Sequence, residues 1–213
     1  LWGWAGGRAQ PGLDRASQIC LRAGERRADG DRQVKILRPV PDVDHADVWL
    51  VFRVETLDWK SGHYALLLNL ADKWDAAGNR FKGVQIDFDA NTLGLANYAE
   101  FLRDLRQRLP EEYALSVTGL LDWSANGDPA ALAALADVVD EAVFQVYQGR
   151  HTIRGYEKWL RNLDDLPMPF RIGLVQGGEW QEPATLSGNP NFRGYVIFLL
   201  NPKENRPVIS DAD

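Results

Sequence analysis

The sequence has one cysteine, Cys20, and three widely separated histidines, His45, His63 and His151. A single thiol excludes an intrachain disulfide, a cysteine zinc cluster and a dithiol redox pair. The histidines form no HExxH or other metal-ligand spacing, so no metal and no cofactor is expected. Basic runs are scarce as well. The longest is Arg26-Arg27, and 24 Lys and Arg face 30 Asp and Glu for a formal charge of −6. Nucleic acid is therefore a poor partner, whereas a neutral or cationic ligand suits the mild acidity. No apolar run approaches the ~18–20 residues of a membrane helix, so no transmembrane segment is expected. The chain begins at Leu1 rather than Met, which fits a removed signal peptide or a trimmed chain.

What is present is apolar material organised in short blocks. With 45% apolar and 25% charged residues over 213 positions, residues 1–213 read as a single domain with a sizeable core. Runs rich in Val, Ile, Leu and Phe at 1–4, 34–40, 48–55, 83–89, 114–120, 142–147, 170–176 and 194–200 are strand candidates. Helical periodicity marks 97–109, where Tyr98, Phe101, Leu102, Leu105 and Leu109 recur at intervals of three and four before Pro110. Asp128-Pro129 reads as a cap and first helical residue ahead of a helix to Val138, and 64–77 and 155–163 are further helices. Segment 177–191, rich in Gly, Pro and Asn, reads as a loop. Eight strand candidates alternating with helices predict an α/β fold, a compact or incomplete (β/α)8 TIM-type barrel. A doubly wound open sheet is the alternative, but no GxGxxG or GxxxxGK[ST] follows a strand.

The segment Gly83-Val-Gln-Ile-Asp-Phe-Asp89 is the most informative. Strand alternation sends Val84, Ile86 and Phe88 to one face and Gln85, Asp87 and Asp89 to the other, so the polar row points into the barrel. Carboxylates at i and i+2 sit roughly 6.5–7 Å apart, close enough for each to raise the other's pKa in a shielded site. A carboxyl kept protonated near neutrality can act as a general acid. The same residues also fit a structural role, with Asp89 capping the next helix and Asp87 paired to Arg53. Arg53 and Glu55, Ser116 and Thr118, and Gln145 and Tyr147 share faces of neighbouring strands, and converging polar rows require mutual hydrogen bonds or a ligand. Trp59, Trp123, Gln148, Arg150, Gln176 and Trp180 follow strand ends, where indole faces make stacking platforms for sugar rings. Trp49, Trp74 and Trp159 fall in strand or helix patterns and read as core.

These blocks, with Tyr98-Ala-Glu-Phe-Leu-Arg-Asp-Leu-Arg106, Leu115-Ser-Val-Thr-Gly-Leu120, Val139-Asp-Glu-Ala-Val-Phe-Gln-Val-Tyr147 and Phe170-Arg-Ile-Gly-Leu174, resemble the bacterial domain-of-unknown-function family 3142 over about residues 48–200. That family has no established activity. The resemblance implies a glycosidase-like barrel, with members often exported or lipid-anchored, and hence a periplasmic or cell-envelope location. Its usual first strand, of the type Tyr-Val-Trp-Gln-Arg, is not found, which implies that the chain starts at the barrel's second strand. More distantly, the Asp87 strand is similar to the Asp-x-Asp-x-Glu motif of chitinase-like glycoside hydrolases, with Asp89 at the terminal acid, Asp87 at the preceding aspartate and Gln85 in place of the first. Tyr147 matches that group's sixth-strand tyrosine.

The expectation is a glycoside hydrolase in which Asp89 protonates the leaving oxygen and Asp87 tunes it, with Tyr147, Gln145 and Arg53 positioning the sugar. Trp123 is the expected stacking wall, Gln176 and Trp180 further contacts, and Glu55 the one nameable nucleophile candidate. A non-catalytic carbohydrate-binding or envelope module on the same barrel is the competing expectation, and a metal-dependent hydrolase using Asp87, Asp89 and Glu55 a third. Carbohydrate is the expected partner under the first two, and the sequence leaves the oligomeric state open.

Overall fold

The computed structural model describes residues 2–3, 15–28, 34–163 and 166–200. Its strands begin from simple alternation. In β4 (Asp47–Val54), Val48, Leu50, Phe52 and Val54 enter the larger hydrophobic cluster while Trp49 and Val51 enter a separate one on the opposite face. The strands β5 (Arg80–Asp87), β6 (Ala114–Leu120), β7 (Glu141–Gln145), β10 (Phe170–Val175) and β11 (Phe192–Phe198) run parallel beside it in the order β11, β10, β7, β6, β5, β4. On the far side of β4 lies β2 (Gln18–Arg26), also parallel, followed at the edge by β3 (Val34–Ile36), which is antiparallel. The short strand β1 (Trp2–Gly3) pairs in parallel with both β11 and β2.

The helices cover the outer face. α1 (Ser61–Ala76) buries Tyr64, Leu67, Leu70, Ala71 and Trp74, spacings of three and four that form one stripe. It starts one turn earlier than its apolar pattern because His63 Nδ1 accepts the Lys60 amide at 2.9 Å. α2 (Leu95–Arg106) buries Tyr98, Phe101, Leu102 and Leu105, and Arg106 holds the following loop through the carbonyls of Pro110 and Tyr113, both at 2.8 Å. After α3 (Trp123–Asn126), Asp128 caps α4 (Pro129–Ala136) by accepting the Ala131 amide at 2.8 Å. A hairpin of β8 (Tyr147–Gln148) and β9 (His151–Thr152) precedes α5 (Glu157–Leu160). Between β10 and β11 the chain makes only a 3-10 turn, Leu186–Gly188, in the expected loop. No helix among the described residues is long and apolar enough to cross a membrane.

The result is a mixed α/β fold around a central parallel sheet. Two boundary expectations need correction. Residues 34–40 do not form a parallel strand: only Val34–Ile36 is extended, as an antiparallel edge, because Pro39 and Pro41 cannot donate to a ladder. The parallel strand in that place is β2, whose alternation is hidden by charged residues and by a register shift between Arg22 and Gly24. The helix expected over 155–163 shrinks to Glu157–Leu160. The strand expected at 1–4 is found at Trp2–Gly3, and its outer residues lie outside the described set.

Gly83 shows how tightly β5 and β6 are set. A Cβ there would lie 2.0 Å from the Ala114 carbonyl oxygen, a backbone atom that cannot swing aside. Gly83→Ala is expected to lower the free energy of unfolding by about 1–3 kcal/mol, the usual range for overpacking, as read by urea denaturation; an unchanged midpoint would show that the strands part freely.

Candidate functional site

Parallel register brings the site together. β4 and β5 pair Arg53 with Asp87, and the β5–β6 ladder pairs Ile86 with Val117, so the next residues, Asp87 and Thr118, are neighbours. Deeper in the same row Gln85 Nε2 donates to Ser116 Oγ at 2.9 Å. Above it Thr118 Oγ1 donates to Asp87 Oδ1 at 3.1 Å, and Arg53 Nη1 donates to the same oxygen at 3.0 Å. The other guanidinium nitrogen, Nη2, donates to Asp89 Oδ2. One planar fork therefore grips both carboxylates.

The two acids differ in exposure. The Asp87 side chain is 7% exposed and that of Asp89 54%. Burial pushes Asp87 above the usual carboxylate range; the Arg53 charge pulls the other way, and the Asp89 charge adds to the rise. Burial works against the charged form of Arg53, but its bonds and charge contacts with Asp89 and Asp87 outweigh that and hold it above arginine's ordinary value. Tyr147 stacks on Phe198 with ring centroids 5.1 Å apart. Burial, with the nearby charges of Asp87 and Asp89, raises the phenol well above its ordinary value, so it stays neutral and can donate a hydrogen bond.

These groups open onto a cavity of about 880 Å³ at the carboxyl ends of the parallel strands. Arg53, Glu55, Asp87, Asp89, Gln145 and Tyr147, six of the residues expected from sequence, all line it. Glu55 Oε2 accepts the Ala28 amide at 3.2 Å. Three expected contacts lie elsewhere. Trp123 is fully buried, its indole N–H donating to the Ala90 carbonyl at 2.8 Å, so it presents no stacking face. Trp180 packs between Tyr156, at 5.0 Å, and Tyr195, at 5.6 Å, away from the cavity lining. Gln176 accepts the Leu200 amide at 3.0 Å and does not line the cavity either. Trp59 likewise packs inside, against Phe52, Tyr64 and Phe101. Conversely Trp159, which reads as core, stands half-buried on the cavity wall.

Sequence reasoning missed Arg22 and Glu25, joined at 2.7 Å on the unread strand β2, and it missed Asp122 and Phe198. Asp122 carried a usable signal: it lies two residues past the end of β6, as Asp89 lies two past the end of β5. Asp87, Asp89 and Glu55 do not form a metal cluster, since no group of three or more His, Cys, Asp or Glu among the described residues is placed to hold an ion.

The parallel-sheet α/β fold is similar to that of glycoside-hydrolase-like structures. The chitinase domain of the spore coat protein CotE from Clostridium difficile is similar with a TM-score of 0.50 at 12% identity, over 74% of this chain and 59% of that one. The Bacillus cereus spore cortex-lytic enzyme SleL gives 0.45 at 19% identity over 75% and 43%, and the immunomodulatory active chitinase TsES1 from Trichuris suis 0.48 at 13% over 82% and 64%. This chain thus spans about 43–64% of the length of those proteins. At such identities the likeness concerns the fold alone. No curated protein matches the sequence. The family profile of the domain of unknown function DUF3142 matches residues 53–166, and the chain belongs to that family.

The raised pKa of Asp87 has a measurable consequence. A carboxyl that binds its proton more tightly folded than unfolded makes stability fall as pH rises from the ordinary aspartate value through the raised folded one. Asp87→Asn should remove that decline, so that urea midpoints of the variant, compared with wild type across a pH series, converge at low pH and diverge in slope above it. Parallel pH profiles would show that Asp87 titrates normally.

Proposed function

We propose that the chain is a carbohydrate-active domain built on an eight-stranded parallel (β/α)8 barrel, and that it hydrolyses a glycosidic bond. For the barrel, the support is that β1 pairs with strands from both ends of the parallel set. With β1 counted as the first strand, not the second as the resemblance implied, β5 is the fourth parallel strand, the place the chitinase-like motif takes. For the chemistry, the observation that carries the reading is the pairing of a buried carboxyl, Asp87, with an exposed one, Asp89, on an open cavity beside a neutral tyrosine.

In this reading Asp87, pushed toward its protonated form, keeps a proton within the pair. Asp89, the exposed member, hands it to the leaving oxygen as the bond from C1 breaks and its electron pair departs with that oxygen. Water adds its oxygen to C1 and returns a proton to Asp89, which restores the pair. Tyr147 and Gln145 orient the ring, Arg53 holds the carboxylates in register, and export to the cell envelope belongs to the same proposal. A second reading, a non-catalytic carbohydrate-binding module, draws support from Arg53, which occupies both carboxylates at once.

The test is turnover of an oligosaccharide panel that begins with N-acetylglucosamine oligomers, the sugar of the chitinase fold relative. Hydrolysis that falls about 10²–10⁴-fold in Asp89→Asn, with binding retained, supports catalysis. Unchanged turnover in that variant removes Asp89 as the acid, and binding without turnover in wild type favours the module.

A further inference from the structure

The cavity is lined by three guanidiniums and five carboxylates among the described residues, an excess of negative charge in a half-enclosed space. Most of these charges are already matched. Arg22 meets Glu25, Arg53 meets Asp87 and Asp89, and Glu55 accepts a backbone amide. Asp122 differs. Its Oδ1 is shut off from solvent and has no hydrogen-bond partner among the described residues, although the side chain sits on the cavity wall.

A carboxylate oxygen in that state is costly unless a donor reaches the group, and a cationic donor repays most. The Cβ–carboxyl torsion is broad and two-fold, so a turn about it exchanges which oxygen is turned to the cavity that the side chain lines. Asp122 lies one strand over from the acid pair and slightly beyond the level of Asp89, since β6 runs parallel beside β5. Asp89, Tyr147 and Asp122 line the same cavity, so a ligand that fills it meets all three. A hydroxyl at the cavity side of the carboxylate would leave the excess charge uncompensated. An ammonium there offsets it.

Resting on the carbohydrate reading above, we propose that Asp122 is a ligand-binding residue of the cavity and that the sugar it receives is an amino sugar with a free, protonated amine. Burial raises the Asp122 carboxyl above the usual range against the pull of its own backbone N–H, and a neighbouring cation would favour its charged form.

The experiment compares glucosamine tetrasaccharide with its fully N-acetylated counterpart by titration calorimetry on the full chain, at low salt and at a pH where the amine is protonated. Wild type should bind the amine form at least about tenfold tighter, and Asp122→Asn should bring the two within about threefold. The wild-type comparison stands even if the variant folds poorly. Equal or tighter binding of the N-acetylated probe by wild type overturns the amine assignment while leaving the carbohydrate reading intact. A preference retained in a folded Asp122→Asn overturns the role of Asp122. Absence of binding by both probes overturns this inference together with the function it rests on.

Discussion

The fork of Arg53 is the interaction on which the site depends. Two carboxylates at the end of a buried strand repel each other and lose hydration, and Asp87 has almost no water to turn to. Arg53 supplies one nitrogen to each and Thr118 adds a hydroxyl to Asp87. Removing one partner from a buried pair of this kind typically costs about 3–5 kcal/mol, because the remaining charge is left uncompensated. The guanidinium itself can be there only because β4 and β5 pair Arg53 with Asp87 residue for residue.

That register is fixed by the rest of the sheet. The inner face is divided along its length. At the amino ends, Arg171 Nε binds the Glu141 carboxylate at 3.0 Å, at the start of β10 and β7. In the middle Trp49, Val51, Val143 and Val175 form an apolar layer separate from the main core. At the carboxyl ends the Gln85–Ser116 and Asp87–Thr118 bonds begin the polar part, and beyond them lies the cavity. A slip of one residue in β5 would turn Ile86 into the inner face and send Asp87 against the helices, so the hydrophobic pattern that packs α1 and α2 also aims the acids. Structure and chemistry are thus set by one alternation.

Much of this was legible in the sequence. Asp87, Asp89, Arg53 and Tyr147 were recognisable because each stands at the end of a clean apolar alternation, where parity alone decides the face. β2 was not legible: Arg22, Glu25 and Arg26 break the apolar run, and the register shift spoils its period. Trp123 misled for the opposite reason. Its position after β6 suits a cavity wall, but the carbonyl of Ala90 stands within reach of its indole N–H, a tertiary contact with no local signature. Trp159 sits in a helical pattern and still meets the cavity, since α5 is too short to bury it. Asp122 has no such signature, because one polar residue in a turn looks ordinary without the tertiary surroundings of its oxygens.

The proposed sugar site is the cavity above the Arg53 fork, and its most direct test is a crystal structure of the chain soaked with an N-acetylglucosamine or glucosamine oligosaccharide. A sugar ring seated between Asp89 and Tyr147, with a ring hydroxyl or the glycosidic oxygen in hydrogen-bond reach of the Asp89 carboxylate, is the predicted result. A cavity that stays free of sugar at saturating concentration, or a sugar bound elsewhere on the molecule, would contradict it.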